Sequence, residues 1–383
     1  MKIILYDDPE IWGDLRPLTL TRPVGALRVG IDTIADKWQA FLPGEYSWGV
    51  AEDYLAELFP AVGADEPDTL FVNGAVIPDS ALAAAVAALL PGEELRDGES
   101  TLLARRGQEV RTTVVFRGTS RMVRQLYDIF LLNGEEIVAD MARITAGRTS
   151  QPLSATNTVV GDSSLIFIEE GATVEGAVIN TRKGPVYVGH DAEIMEGSML
   201  RGPIALCTHA TVNMGTKVYP ETTIGPHCKV GGEVNNVVFQ GYSNKAHDGF
   251  LGNAVVGEWC NIGAGAVASN LKNDYTKIRI WNYTTRHFER TTLQFCGLMM
   301  GDHSKAGINT MFNTATVLGV GVNVHGAGFP RNFIESFMEG STAGWNRVPE
   351  KKFFDIAERV MARRGRTMSE AERRMYIHLM HNS

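Results

Sequence analysis

Residues 186–231 read VYVGHDAEIMEGSMLRGPIALCTHATVNMGTKVYPETTIGPHCKVG, and in this stretch an aliphatic side chain returns at every sixth position: Val188, Ile194, Leu200, Leu206, Val212, Val218, Ile224 and Val230. The period resumes in shifted frames at Phe250, Val256, Ile262 and Ala268, and again at Met300, Ala306, Phe312, Leu318 and Val324. Glycine often follows, at 189, 225, 231, 257, 263, 301, 307 and 319. A helix repeats at 3.6 residues and a strand at 2, so neither produces this spacing. A period of six fits a solenoid in which each hexapeptide supplies one short flat strand and one corner. Three such sides close a triangular coil of about 18 residues. The aliphatic residue points inward and stacks on its equivalent one coil away. Stability then comes from stacking, because no coil buries its face alone. A chance period within an all-β sandwich would not run eight positions without a miss. Glycine usage agrees: 24 of the 40 glycines lie between 161 and 330, where tight corners need them.

Two segments break the period. Residues 231–249 (GGEVNNVVFQGYSNKAHDG) shift the frame, and residues 271–296 (LKNDYTKIRIWNYTTRHFERTTLQFC) insert a long polar excursion. Insertions in solenoids gather on the binding face, so chemistry is expected here. The pattern assigns no role to 271–296.

The flanking sequence has a different character. Residues 1–118 alternate strand-like runs (Lys2–Tyr6, Thr69–Val72) with helical patterns (Arg22–Phe41, Trp48–Phe59, Asp79–Leu90), which predicts an α/β domain. Residues 119–150 read as a helical connector broken near Asn133-Gly134, 151–330 as the solenoid, and 331–383 as a helical tail. In the tail, Phe353, Ile356, Ala357, Val360 and Met361 form an apolar stripe, Gly365 stops the helix, and Ser369 with Glu372 forms a capping box for another. Its arginines, among them Arg359, Arg363, Arg364, Arg366, Arg373 and Arg374, suit either a solvated cap or an acidic partner.

Composition excludes several classes. The net charge of -8 argues against a nucleic-acid binder, though not against a local pocket for phosphates. The four cysteines form no C-x-x-C pair, against a disulfide scaffold or zinc ribbon and in keeping with a reducing compartment. The longest apolar run, Ala81 to Leu90, is too short to span a bilayer, and Asp7-Asp8 interrupts any secretory leader. The expectation is a soluble cytoplasmic protein with no membrane partner.

Within the frame-breaking region, Ser243-Asn244-Lys245-Ala246-His247-Asp248-Gly249-Phe250-Leu251-Gly252-Asn253 is followed by Asn261-Ile262-Gly263-Ala264-Gly265 and then Ser269-Asn270. Residues 188–330 here resemble the acetyltransferase half of the bacterial bifunctional N-acetylglucosamine-1-phosphate uridyltransferase/glucosamine-1-phosphate acetyltransferase family. That family carries S-K-x-x-H before L-G-D, then N-I-G-A-G, then C-N-Y. The resemblance implies a left-handed parallel β-helix, a homotrimer and acetyl transfer from acetyl-CoA to an amino-sugar phosphate. It makes His247 the general base, a task that imidazole chemistry suits. Glu233 would orient that base or hold the amine, Asn261 and Asn270 would bind the sugar, and Lys229 would meet its phosphate. Ala264, Lys305 and Gly326 would line the CoA arm. Two positions depart from the family: Asn235 stands where it has a lysine, and Phe250 where it has a tyrosine. Those changes leave the acceptor sugar open. His209 and His227, one coil apart, are spaced to stack, but a zinc hydratase on this scaffold needs a third histidine in an H-x4-H arrangement, which the sequence lacks. No metal site is assigned.

In the first domain, Leu15-Arg16-Pro17-Leu18-Thr19-Leu20-Thr21-Arg22-Pro23 resembles the segment after the phosphate loop of sugar-1-phosphate nucleotidyltransferases, and Phe71-Val72-Asn73-Gly74-Ala75 resembles their strand ending N-G-D. The glycine-rich cradle is missing, and Ala75 occupies the place of the metal-binding Asp. Two readings follow. Either Arg16, Arg22, Arg28 and Lys37 bind a triphosphate with Mg2+ for uridylyl transfer, or the domain is catalytically degraded and serves as a nucleotide-sugar sensor or a packing unit.

Overall fold

A computed structural model describes residues 1–64, 66–98 and 101–382. The chain forms two compact units: Met1–Leu27, Asp32–Asp128 and Ser369–Leu379 make one, and Arg28–Ile31, Ile129–Met368 and Met380–Ser383 the other. The expected architecture, an α/β domain followed by a parallel β-solenoid and short C-terminal helices, is the one observed.

The first unit is built on a six-stranded sheet. Lys2–Tyr6 lies next to its edge, parallel to the edge strand Glu45–Gly49 on one side and to Leu70–Asn73 on the other. Thr101–Arg106 and Glu93–Asp97 continue it antiparallel. Where a helix was expected over Trp48–Phe59, Trp48 instead belongs to the strand Glu45–Gly49 and Asp53–Leu55 makes a short 3-10 turn. Its Glu-Tyr-Ser-Trp alternation, with Ser47 buried, is a sheet pattern that the later apolar residues obscured. The expected capping box is formed: Ser369 N donates to Glu372, and Glu372 N donates to Ser369 Oγ at 3.1 Å.

In the second unit the period-six residues behave as read. Strand stacks make three faces: the first passes through Val178–Asn180 and Met199–Arg201, the second through Val186–Val188 and Ile204–Leu206, and the third through Glu193–Ile194, Thr211–Val212 and Lys229–Val230. Val188, Leu206 and Ile224 are register partners on consecutive rungs, all fully buried. The strands Glu233–Gly241 and Phe250–Glu258 run unbroken through the corner between the first and second faces.

The solenoid continues past 330, with Phe333–Ile334 and Met338–Ser341 adding strands before the tail begins. Helix Glu350–Ala362 then buries Phe353, Phe354, Ala357 and Met361. The connector helix spans Asp128–Ile144 without the break expected at Asn133-Gly134. Packing overrides propensity here: a Cβ on Gly134 would lie 2.6 Å from Glu221 Cγ, and buried Asn133 donates to Glu221 O at 2.7 Å and accepts from Gly30 N at 2.8 Å. The excursion 271–296 is an antiparallel hairpin of Arg279–Asn282 and His287–Arg290. Among the described residues no helix is long and apolar enough to cross a membrane.

Candidate active site

The frame shift is a shortened rung. On the third face, Lys245 is the register partner of Val230, fifteen residues on rather than eighteen. Lysine therefore occupies a place in the inward column that aliphatic residues fill below it, and it is 1% exposed. Its Nζ donates to Gly231 O at 2.8 Å and to His247 O at 2.7 Å, so the buried ammonium is neutralised by carbonyl dipoles. Burial lowers its pKa to about 8, against a smaller raising effect of Asp248.

That lysine is one of several ties on the corner that follows. Asn213 Nδ2 donates to Ala246 O at 2.8 Å, Gly265 N to Asp248 O at 2.9 Å, and Glu233 N to Gly249 O at 3.0 Å. Each carbonyl from Ala246 to Gly249 thus has a donor, and the loop presents an exposed His247 ring from a fixed backbone. Gly231 and Gly232 lie directly beneath, so close that a Cβ on Gly231 would run into Ala246 O.

The expected site residues separate into groups. Half-buried Ala264 sits at the same corner one rung on, its carbonyl accepting from Asn309 N at 2.8 Å, and exposed Gly326 lies further along that edge. Glu233 stands on the first face as register partner of Phe250, with its carboxylate 4.0 Å from Lys217 Nζ. Lys229, Asn244, Asn261 and Lys305 form a register column on the third face. Asn270 lies at the far end of the first face, donating to Asn253 Oδ1 at 2.8 Å. Lys305 does not reach toward His247: its Nζ donates to His303 O at 2.9 Å, it lines a small cavity with Phe353, Ile356 and Ala357 of the tail helix, and burial lowers its pKa.

Sequence reasoning missed two residues. Lys245 was hidden because the frame shift masks its register with Val230. Arg364, read only as one of a run of tail arginines, donates to Asn244 Oδ1 at 2.9 Å and so joins the column containing Lys229 and Asn261.

An aromatic column marks the corner between the second and third faces. His190, His209, His227, Tyr242, Trp259 and His303 follow one another with ring centroids 4.2–6.2 Å apart. The expected stacking of His209 on His227 is present, 4.7 Å between centroids. Among the described residues no three His, Cys, Asp or Glu side chains cluster to hold a metal.

The four expected phosphate-binding residues differ in their settings. Arg16 donates to Gly13 O at 2.9 Å and lies over the Trp12 ring. Arg22 and Lys37 are 7% and 1% exposed. Arg28 belongs to the second unit, where its side chain donates to Ile31 O and Gln240 O. Asp7, just after the strand Lys2–Tyr6, accepts from Val24 N at 2.8 Å and Ala51 N at 3.3 Å, while burial pushes its pKa up to about 7.

Residues 3–149 match the family of sugar nucleotidyl transferases. Curated relatives include the bifunctional protein GlmU of Gloeobacter violaceus, 26% identical over 220 residues covering 51% of this chain and 44% of that protein. Another is the bifunctional protein GlmU of Corynebacterium glutamicum, 30% identical over 168 residues (41% and 30%). A third is the bifunctional sugar-1-phosphate nucleotidylyltransferase/acetyltransferase of Sulfurisphaera tokodaii, 26% identical over 165 residues (42% and 40%). The chain thus spans less than half the length of these relatives. Among solved structures, the polysialic acid O-acetyltransferase OatWY aligns with 51% of this chain and 86% of its own at 13% identity, with a TM-score of 0.21. The chain is similar to the bifunctional GlmU proteins over at most about half of its length, with a sugar nucleotidyl transferase match over residues 3–149 and a parallel β-solenoid beyond it.

Proposed function

We propose that the solenoid transfers an acetyl group from acetyl-CoA to the amine of an amino-sugar phosphate, with His247 as general base. The observation that carries this reading is the tethered corner: an exposed imidazole on a backbone whose carbonyls are each held, sharing an edge with Ala264 and Gly326. The amine nitrogen attacks the thioester carbonyl carbon while His247 takes the ammonium proton. The tetrahedral species collapses with cleavage of the C–S bond, and the imidazolium returns the proton to the departing thiolate. The products are the N-acetyl sugar and free CoA. Ala264 and Gly326, with no bulky side chain, leave room along the edge for a pantetheine arm. Lys229 and Arg364 flank the Asn244–Asn261 column and supply positive charge for a phosphate, while Glu233 and Asn270 bound the acceptor side. Lys305 in this reading steadies the tail helix rather than CoA.

For the first domain, the residues do not fit Mg2+. Ala75 offers no ligand and is 1% exposed, and Asp79 is committed to capping the helix Ser80–Ala87 through Leu82 N at 2.8 Å. We therefore favour binding of a nucleotide sugar without uridylyl transfer. Exposed apolar side chains on the first face (Val178, Met199, Tyr219) favour a homotrimer packed through that surface, which sedimentation equilibrium checks.

The decisive experiment follows thiol release from acetyl-CoA with a panel of amino-sugar 1-phosphates and nucleotide-linked amino sugars. One acceptor should turn over, and His247→Ala should lower its rate by about 10²–10⁴ with no change in melting temperature. An unaltered rate in that variant removes the assigned base. Saturable sugar-nucleotide binding with no turnover on any acceptor supports a regulatory binding protein instead.

A further inference from the structure

The hairpin 271–296 borders a cleft of about 580 Å3, open to solvent, at the corner between the first and second faces, a different corner of the rung from that of His247. Three separate pieces of chain bring a cation to it: Lys272 before the hairpin, Arg279 on its first strand and Arg331 on the solenoid. Among the described residues none of the three has a carboxylate partner at ion-pair distance. Lys272 Nζ donates to Lys277 O at 3.2 Å and Arg279 Nη2 to Phe288 O at 3.1 Å, both neutral acceptors. The acids nearby are otherwise occupied: Asp274, which feels the charge of Lys272, accepts from Thr276, and Glu289 accepts from Asn282 and Thr285. In a chain with net charge -8, three cations without ion pairs in one cleft constitute an anion site.

The walls are aromatic and fixed. Phe288 and Phe333 line the cleft, and Trp281 holds both, stacked on Phe333 at 4.2 Å and 9° and edge-on to Phe288 at 5.2 Å. Tyr283 braces Phe333 from a third direction, edge-on at 5.3 Å. Asn332 is held to Thr314 O at 3.0 Å, so the solenoid side of the cleft is also set in place. Cations supply phosphate recognition, and rigid rings offer flat apolar surface for a heterocycle.

We propose that this cleft binds the phosphate-bearing end of a nucleotide, with the phosphates between Lys272, Arg279 and Arg331 and the base against the Phe288–Phe333 wall. The site is separate from the His247 corner and does not depend on the acetyl-transfer reading. ADP and inorganic pyrophosphate are the probes, measured by calorimetry on the full chain. ADP should bind saturably, and more weakly as salt rises. Arg279→Ala and Arg331→Ala should each weaken ADP about tenfold. Phe288→Leu should weaken ADP about tenfold while leaving pyrophosphate unchanged. Unaltered melting temperatures establish that these surface variants fold. Since the first domain could hold a nucleotide of its own, 8-azido-ADP labelling followed by peptide mapping locates the site. Label on 271–296 or 331–333 supports the proposal, and label confined to residues 1–128 overturns it. ADP affinity that ignores the double variant Arg279→Ala/Arg331→Ala also overturns it, and equal loss of ADP and pyrophosphate in Phe288→Leu overturns the place given to the base. Competition by acetyl-CoA against competition by a nucleotide sugar then separates the two sources of such a moiety, and either result supports the cleft.

Discussion

The rungs up to Val230 and the rung that follows share one hexapeptide design and put it to opposite uses. Below, each position of the six-residue period from Val188 to Val230 holds a valine, leucine or isoleucine, packed with the smaller Ala192, Ala210 and Cys228, and hydrophobic burial sets the geometry. Above, the rung is short and Lys245 stands in the column, its ammonium spent on two backbone carbonyls. The regular rungs gain stability from interchangeable side chains. The shortened one surrenders some of that to hold a single loop in one conformation, which is the trade expected where a side chain must be presented at a fixed point.

The comparison breaks most visibly if a regular rung proves dispensable. Leu206 is fully buried between Val188 and Ile224. Leu206→Ala should destabilise the solenoid by about 2–5 kcal/mol, from lost transfer energy plus the cavity left behind, measured by denaturant unfolding. A loss below 1 kcal/mol would mean that the rungs collapse onto one another and are not individually packed.

Lys245 sharpens the comparison through pH. Folded, its amine titrates near 8, and unfolded near 10.5. Between those values the unfolded chain holds the proton and the folded chain does not, so this residue makes stability rise with pH across the window. Below pH 8 the folded state carries the full desolvation cost. Lys245→Met carries none of it. The stability of that variant relative to the native chain should therefore be most favourable below pH 8 and decline by roughly 3 kcal/mol by pH 10.5. A difference that stays flat from pH 7 to 11 would show the amine to be solvated.

The two regions were also unequally legible. Period six exposed the regular rungs because every coil repeats the same burial requirement, and the capping pair Ser369–Glu372 was readable because both partners lie within one turn. The continuous connector helix was not readable, since Asn133 and Gly134 are accommodated by Glu221 and Gly30, distant in sequence. The spacing of His247 to Asn261 singled it out as a candidate, but the ties on the loop that carries it come from Asn213, Lys245 and Gly265 on three rungs. The hairpin strand was not readable either: Ile278, Ile280 and Asn282 are buried while Arg279 and Trp281 are more open, so burial alternates with period two, but Trp281 and Asn282 reverse the polarity that would have signalled it.

The smallest expected effect tests the tethered loop most directly. Gly231 is needed for space, because a Cβ there meets Ala246 O, the first of the Ala246–Asp248 carbonyls that are held by side chain and backbone. Gly231→Ala must push that loop outward by part of an ångström. Overpacking of this kind costs about 1–3 kcal/mol, less than the loss expected at Leu206, since the loop borders solvent on its outer side. The rate of acetyl transfer should nonetheless fall further than the stability, because a shift near 1 Å at a reacting group costs on the order of 10²-fold in rate. The same substitution on a regular rung gives the contrast: Gly189 packs against the Cys207 and Thr208 backbone, and Gly189→Ala should cost similar stability with the rate unchanged. Equal rate losses in the two variants would mean that the loop carrying His247 is no more finely positioned than any other corner of the solenoid.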